Sequence, residues 1–204
     1  MTKLLKFTAM AATLLLVAFT GCKKEQEQKG STFTDPRDGQ TYRAVKIGYF
    51  TWMVENLNFQ TGNSWCYDND ENNCQKYGRL YDWNTAMTAC PKGWRLPGRE
   101  NWVDLIMAVG DGAGTKLKSR SPDWDGTDNF VFSAMPGGLR DINGRFIGVR
   151  SSSSWWTSEE DGAGEGASRR SMFSPSPLLG GDSESVAESD VNKGFGLSVR
   201  CVQE

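Results

Sequence analysis

Four cysteines set behind an export leader constrain this chain more than any other feature. The leader opens with Lys3 and Lys6, runs through apolar residues from Phe7 to Phe19 centred on Leu14, Leu15 and Leu16, and ends in Thr20 and Gly21 before Cys22. Charge, apolar run and small residues in that order are the layout of a secretory signal peptide. The run falls short of the roughly 20 apolar residues that a membrane-spanning helix needs. An exported chain meets an oxidising compartment, so Cys66, Cys74, Cys90 and Cys201 are expected to pair as two disulfides, in one of three connectivities. We favour Cys66 with Cys74, which closes only the polar loop Tyr67 to Asn73, and Cys90 with Cys201, which ties the middle of the chain to its last strand. A four-cysteine zinc site would need paired C-x-x-C knuckles, and the sequence has none.

Phe19-Thr20-Gly21-Cys22 resembles the bacterial lipobox, in which cleavage before the cysteine leaves that residue acylated. Residues 1–21 are then a lipoprotein signal peptide, and residues 22–30 are the lipidated Cys22 and a polar tether, KKEQEQKG, with nothing to bury. Residues 31–204 form one domain, an ordinary size for a single core. Cys22 is expected to carry acyl chains such as palmitate, because one buried methylene contributes only about 0.8 kcal/mol and lasting attachment needs more than one chain. Lys23 after the cysteine favours, by resemblance to known sorting rules, the outer membrane. The expected address is the cell envelope, with the membrane as a partner through the lipid.

The whole chain has 23 Lys+Arg against 25 Asp+Glu, and loss of Lys3 and Lys6 leaves 21 bases against 25 acids. A slightly acidic chain gives no reason to expect nucleic acid, whose binders carry a basic excess. The sequence has no histidine, which removes Ser-His-Asp triads, histidine-held zinc hydroxide and imidazole proton shuttles.

Periodicity predicts a hairpin from Thr41–Ile47 and Phe50–Glu55 across Gly48 and Tyr49. Trp102, Leu105, Ile106 and Val109 fall at i, i+3, i+4 and i+7 before Gly110 and predict the clearest helix. A shorter helix is expected from Trp83 to Ala89, with Asp82 as its N-cap. Short strands are expected at Phe130–Ser133, Arg145–Val149 and Trp155–Ser158, and a last strand has Phe195, Leu197, Val199 and Cys201 on its buried face. The polar stretch Glu159 to Asn192 is expected to supply surface loops, with a short strand near Ser171–Phe173 at most.

Four segments carry a further resemblance: Trp52-Met53-Val54-Glu55-Asn56-Leu57, Tyr77-Gly78-Arg79-Leu80-Tyr81-Asp82-Trp83, Cys90-Pro91-Lys92-Gly93-Trp94-Arg95-Leu96-Pro97 with Trp102, and Gly194 to Val202. With Phe132 to Gly138 and Trp155-Trp156 between them, the chain from about Phe33 to Val202 resembles the Fibrobacter succinogenes major paralogous domain. The resemblance implies an α+β, C-type lectin-like fold: small antiparallel sheets, one or two helices, long loops and two disulfides. Gly-Trp-Arg-Leu-Pro is also similar to the formylglycine-generating enzyme group built on that fold. It implies no settled activity, and fold alone does not assign one.

Three groups of residues are candidate sites. Asp68, Asp70 and Glu71 cluster in the short disulfide loop, and Asp123, Asp125 and Asp128 form a weak calcium candidate that lacks the bidentate acid of a full calcium loop. Neither the Glu-Pro-Asn nor the Trp-Asn-Asp motif of calcium-dependent lectins occurs. Trp52, Trp83, Trp94 and Trp102 are expected in the core. Trp65, Trp124, Trp155 and Trp156, flanked by Ser, Asn, Asp and Thr, are the ligand-binding candidates, because exposed indoles stack on sugar rings without a metal. No catalytic residue, cofactor or resident metal is expected. The expected function is an envelope-anchored, non-catalytic binding or interaction module for polysaccharide or an envelope protein. The alternative is an enzyme of the formylglycine-generating type, which by resemblance needs two reactive cysteines where only Cys201 stands, or a carboxylate-dependent hydrolase.

Overall fold

The computed structural model describes residues 30–122, 124–175 and 182–204. The leader, Cys22 and the tether up to residue 29 lie outside the described residues, as does Asp123. In chain order the elements are β1 (Ser31–Thr34), β2 (Thr41–Ile47), β3 (Phe50–Met53), β4 (Ser64–Trp65), a 3-10 turn at Tyr67–Asn69, α1 (Glu71–Tyr77), β5 (Leu80–Tyr81), α2 (Trp83–Ala89), α3 (Arg99–Val109) and α4 (Ala113–Leu117). They continue with β6 (Gly137–Arg140), β7 (Phe146–Val149), β8 (Ser152–Glu160), β9 (Gly166–Phe173), β10 (Ala187–Asn192), β11 (Leu197–Ser198) and β12 (Val202–Gln203). The class is α+β with two disulfides, as expected. Among the described residues no helix is long and apolar enough to cross a membrane.

The hairpin of β2 and β3 forms across Gly48 and Tyr49. Tyr42 and Ala44 on one face of β2 enter one core, while Val45 and Ile47 on the other face enter a second, and Thr41, Arg43 and Lys46 stay exposed. Gly48 sits at φ +65°, and a Cβ there would lie 2.1 Å from the Asp104 carboxylate. That carboxylate accepts the Tyr49 N–H at 2.8 Å and fastens the turn to α3. β1 and β12 complete an antiparallel sheet of order β1-β2-β3-β12. A second, eight-stranded sheet follows the path β10-β9-β8-β11-β5-β4, with β6 pairing β8 and β7.

Helix starts follow their caps. Asp82 accepts the Thr85 N–H at 2.8 Å and opens α2, and Asn101 accepts the Gly98 N–H at 2.8 Å and opens α3, which ends at Gly110. α3 turns Trp102, Leu105 and Val109 into a core shared with Trp52, Trp124, Phe132 and Trp155. A second core gathers Tyr42, Tyr81, Trp83, Trp94 and Trp156. Both disulfides have the favoured connectivity, Cys66–Cys74 and Cys90–Cys201.

Several expectations are corrected. Four helices are present among the described residues rather than one or two. α1 begins inside the polar loop Tyr67 to Asn73 and runs on past Cys74, because the Asp70 side chain accepts the Asn72 N–H at 2.9 Å and caps it. Phe130–Ser133 is no strand: Val131 and Ser133 have φ of 57° and 50°, in the left-handed region. The expected loop Glu159–Asn192 contains β9 and β10, and β9 pairs with both β8 and β10. Its small polar residues Ser168 and Ser171 are buried, so polarity there marks packing between strands and not solvent. The last strand is broken into β11 and β12, and Ser198 and Arg200 are as buried as Leu197, Val199 and Cys201.

Two buried tyrosines make stability fall at high pH. Burial pushes the Tyr42 hydroxyl from 10.0 up to about 12, and burial holds the Tyr81 hydroxyl well above its ordinary value. The Tyr81 hydroxyl donates to the Phe59 carbonyl at 2.7 Å. A phenol whose pKa is higher folded than unfolded contributes stability that is complete below the unfolded value near 10 and is lost as pH rises through the folded value. Tyrosinate absorbance is therefore expected to develop partly in a late step near pH 12 that coincides with loss of structure. A single step complete near pH 10 with the fold intact would refute this.

Candidate functional site

Three of the four segments that carry the sequence resemblance, together with Phe132 and Trp155, meet in one buried polar hub. Arg200 is fully buried. Its Nε and Nη2 donate to Asn56 Oδ1 at 3.0 and 2.8 Å. Its Nη1 donates to the carbonyls of Met53 and Phe132 at 3.2 and 2.6 Å, and also to that of Val54. Trp155 Nε1 donates to the same Asn56 oxygen at 2.8 Å, while Asn56 Nδ2 donates to the Tyr77 carbonyl at 2.8 Å and to Ser198 Oγ at 3.3 Å. The guanidinium also lies 4.5 Å from the Phe132 ring centroid. Burial pulls its pKa down to about 9, so it remains charged at neutral pH. Gly78, at φ +78°, completes the hub, because a Cβ there would meet Asn56 Cβ at 2.7 Å. These residues are a structural clamp made of a cation and neutral acceptors, with no ligand-facing atom required.

Three of the four ligand-binding tryptophans are corrected. Trp124, Trp155 and Trp156 are fully buried. Trp155 and Trp156 do point to opposite faces of β8, as adjacent strand residues must, but β8 is a central strand and both faces are covered. Trp124 is held by its Nε1 donating to the Ala134 carbonyl at 2.6 Å and by the Lys118 ammonium 5.0 Å from its ring. Trp65 alone keeps partial exposure, and the Arg140 guanidinium covers it at 4.2 Å. Trp52, Trp83, Trp94 and Trp102 are buried as expected.

The acidic candidates are used in turns and ion pairs. Asp128 accepts the Ser133 N–H at 2.8 Å and its hydroxyl at 2.6 Å, which fixes the left-handed backbone there. Asp125 accepts Ser183 Oγ at 3.5 Å. Asp70 caps α1, and Glu71 lies 3.5 Å from Arg79. Cys66, Glu71 and Cys74 come close enough to suggest a metal, but the two sulfurs are bonded to each other and neither is a free thiolate. Arg79 Nη1 instead donates to both sulfurs, at 3.1 and 3.4 Å. Glu188 bridges Arg99 and Arg170 at 2.6 and 2.8 Å, and Glu159 accepts the Arg99 N–H at 2.6 Å. Cys201 is committed to Cys90.

Above the hub lies a groove with two lobes that share Lys76, Tyr77 and Met135. The first lobe, of about 190 Å³, is rich in amides: Gln40, Asn56, Asn58 and Gln75 line it, together with the Arg43–Glu55 ion pair of 2.6 Å. The second, of about 380 Å³, is lined by Lys76, Arg120 and Arg150 with Ser119, Ser121 and Pro136, and among the described residues by no acid. Among the described residues these three cations form no ion pair. Arg120 Nε donates to the Thr127 carbonyl at 2.9 Å. Arg150 takes φ +69°, a conformation that costs a non-glycine residue, and its N–H is held by the Pro136 carbonyl at 2.9 Å. The three cations come from α1, from the segment after α4 and from the β7–β8 turn, so no local pattern in the sequence marks them as neighbours. Asn56, Tyr77 and Met135 lie in the motif segments, whereas the three cations do not.

A family model described as the Fibrobacter succinogenes major domain matches residues 45–203. No curated protein and no solved structure matches the chain.

Proposed function

Because the chain belongs to the Fibrobacter succinogenes major domain family over residues 45–203, and because its groove is built on the buried hub formed by the motif residues, we propose that it is an envelope-anchored lipoprotein displaying a non-catalytic saccharide-binding module. The observation that carries this reading is the amide lobe. Asn and Gln side chains donate and accept hydrogen bonds at once, as sugar hydroxyls do. The hub fixes the floor of the groove through the hydrogen bond from Asn56 to the Tyr77 carbonyl, so the cleft is shaped before a ligand arrives, and the amides that face it are Gln40, Asn58 and Gln75. Lipidation at Cys22 and an outer-membrane address rest on the leader and lipobox. Closure of the domain by Cys90–Cys201, and pairing of β12 with β3, support a C-type lectin-like reading of the fold. The engagement of Cys201 in a disulfide argues against formylglycine-type chemistry.

Full-length protein extracted from membranes with detergent tests this. Mass spectrometry is expected to find an acylated N-terminal Cys22 peptide, and the same material is expected to bind immobilised polysaccharide without shortening it. An unmodified Cys22 in a secreted product would overturn the anchor. Release of reducing ends from the polysaccharide would overturn the non-catalytic reading.

A further inference from the structure

We propose that the ligand of this groove is an acidic oligosaccharide, with a carboxylate or sulfate group among Lys76, Arg120 and Arg150 and a neighbouring hydroxyl-bearing unit on Gln40, Asn58 and Gln75. The inference rests on the saccharide-binding reading and adds the charge of the sugar. Its first support is the sign of the field. Acids outnumber bases in the whole chain, 25 to 23, yet among the described residues the larger lobe gathers three bases and no acid. Elsewhere on the surface, arginines meet carboxylates: Arg43 meets Glu55, Arg99 meets Glu188 and Arg145 meets Asp141. Cations with no carboxylate partner among the described residues focus their field on whatever enters the concavity they line.

The second support is the pairing of lobes. An ion-exchange surface would be cationic throughout, whereas here the cationic lobe joins an amide lobe whose own charges, Arg43 and Glu55, cancel. Charge at one end and two-way hydrogen bonding at the other match a chain in which an acidic sugar follows a hydroxyl-rich one. Half-buried Met135 on the shared wall gives an apolar contact for the carbon face of a ring. The larger lobe falls within the roughly 300–1,000 Å³ of ligand clefts.

The third support is positioning. Arg120 is steadied by the Thr127 carbonyl, and Arg150 stands on a turn whose backbone is kept in a sparsely populated conformation. Both guanidinium groups keep donors that can reach an oxyanion, and two arginines read a planar carboxylate better than mobile lysines do.

Calorimetry on the full chain in detergent decides the matter, with oligogalacturonate and chondroitin sulfate oligosaccharides as acidic probes, cello-oligosaccharide of matched length as the neutral probe, and duplex DNA as an unrelated polyanion. At least one acidic sugar is expected to bind about tenfold or more tighter than the neutral one, and to weaken as salt is raised. Arg120→Ala and Arg150→Ala are each expected to weaken that binding by about tenfold, the size of one charge-assisted hydrogen bond. Lys92→Ala, an exposed cation outside the groove, leaves it unchanged. Circular dichroism of the variants should match the parent, since both arginines are exposed. Equal binding of neutral and acidic sugars would overturn the acidic assignment and leave the saccharide reading standing. Binding of no sugar would overturn both. DNA binding as tight as the acidic sugar, abolished by salt, would show ion exchange only and also overturn the proposal.

Discussion

Replacing Arg200 with Ala is expected to cost about 3–5 kcal/mol of stability, the range seen when one member of a buried charged network is removed. The guanidinium satisfies Asn56 Oδ1 and the carbonyls of Met53, Val54 and Phe132 at once. Alanine would leave those acceptors dry and unpaired and would open a cavity between Phe132 and Trp155. Arg200→Lys is expected to recover less than half of the loss, because one ammonium on a flexible stem cannot fan out over acceptors on three sides. Urea denaturation of the parent and both variants measures this. A loss under about 1 kcal/mol for Arg200→Ala would mean that the hub is dispensable.

The second large effect belongs to the long disulfide. Cys90 and Cys201 are 111 residues apart, against 8 for Cys66 and Cys74. If the chain entropy of the unfolded state dominates, the double variant Cys90→Ala/Cys201→Ala should lose about 5 kcal/mol and Cys66→Ala/Cys74→Ala about 2–3. Against the typical 5–15 kcal/mol of a whole domain, the first change is enough to leave the fold marginal. Equal losses from the two pairs, read by the same denaturation, would show that native-state contacts and not loop length set the contributions.

What was legible in the sequence was local. The hairpin at Thr41–Met53, the caps at Asp82 and Gly110 and the α3 stripe are all set within a dozen residues, where period and turn chemistry act directly. The disulfide connectivity was legible because one pair is a short clip. β9 and β10 were missed because Ser168, Arg170 and Ser171 read as solvated, when their burial depends on neighbours far along the chain. Trp155 and Trp156 were misplaced for a related reason: polar flanks suggested a surface, and only the central position of β8 shows that both faces are covered. Arg200 looked like the outward residue of an alternating strand, and nothing local announces that carbonyls from β3 and from residue 132 close around it. The groove was the least legible feature, since Lys76, Arg120 and Arg150 become neighbours only through tertiary structure.

The outer strand β10 has a consequence for how copies of the protein behave beside one another. Its six residues, Ala187 to Asn192, pair with β9 on one side only, and five of them are exposed. A free strand margin of that length can template another chain. Here it carries Glu188 and Asp190, and antiparallel self-pairing about Ser189 would bring acid opposite acid from the two copies. Glu188 is held by Arg99 and Arg170 from its own copy, so Asp190 is the acid that the margin turns toward a neighbour, and an exposed charge on an outer strand disfavours fibre-like stacking wherever the protein is crowded.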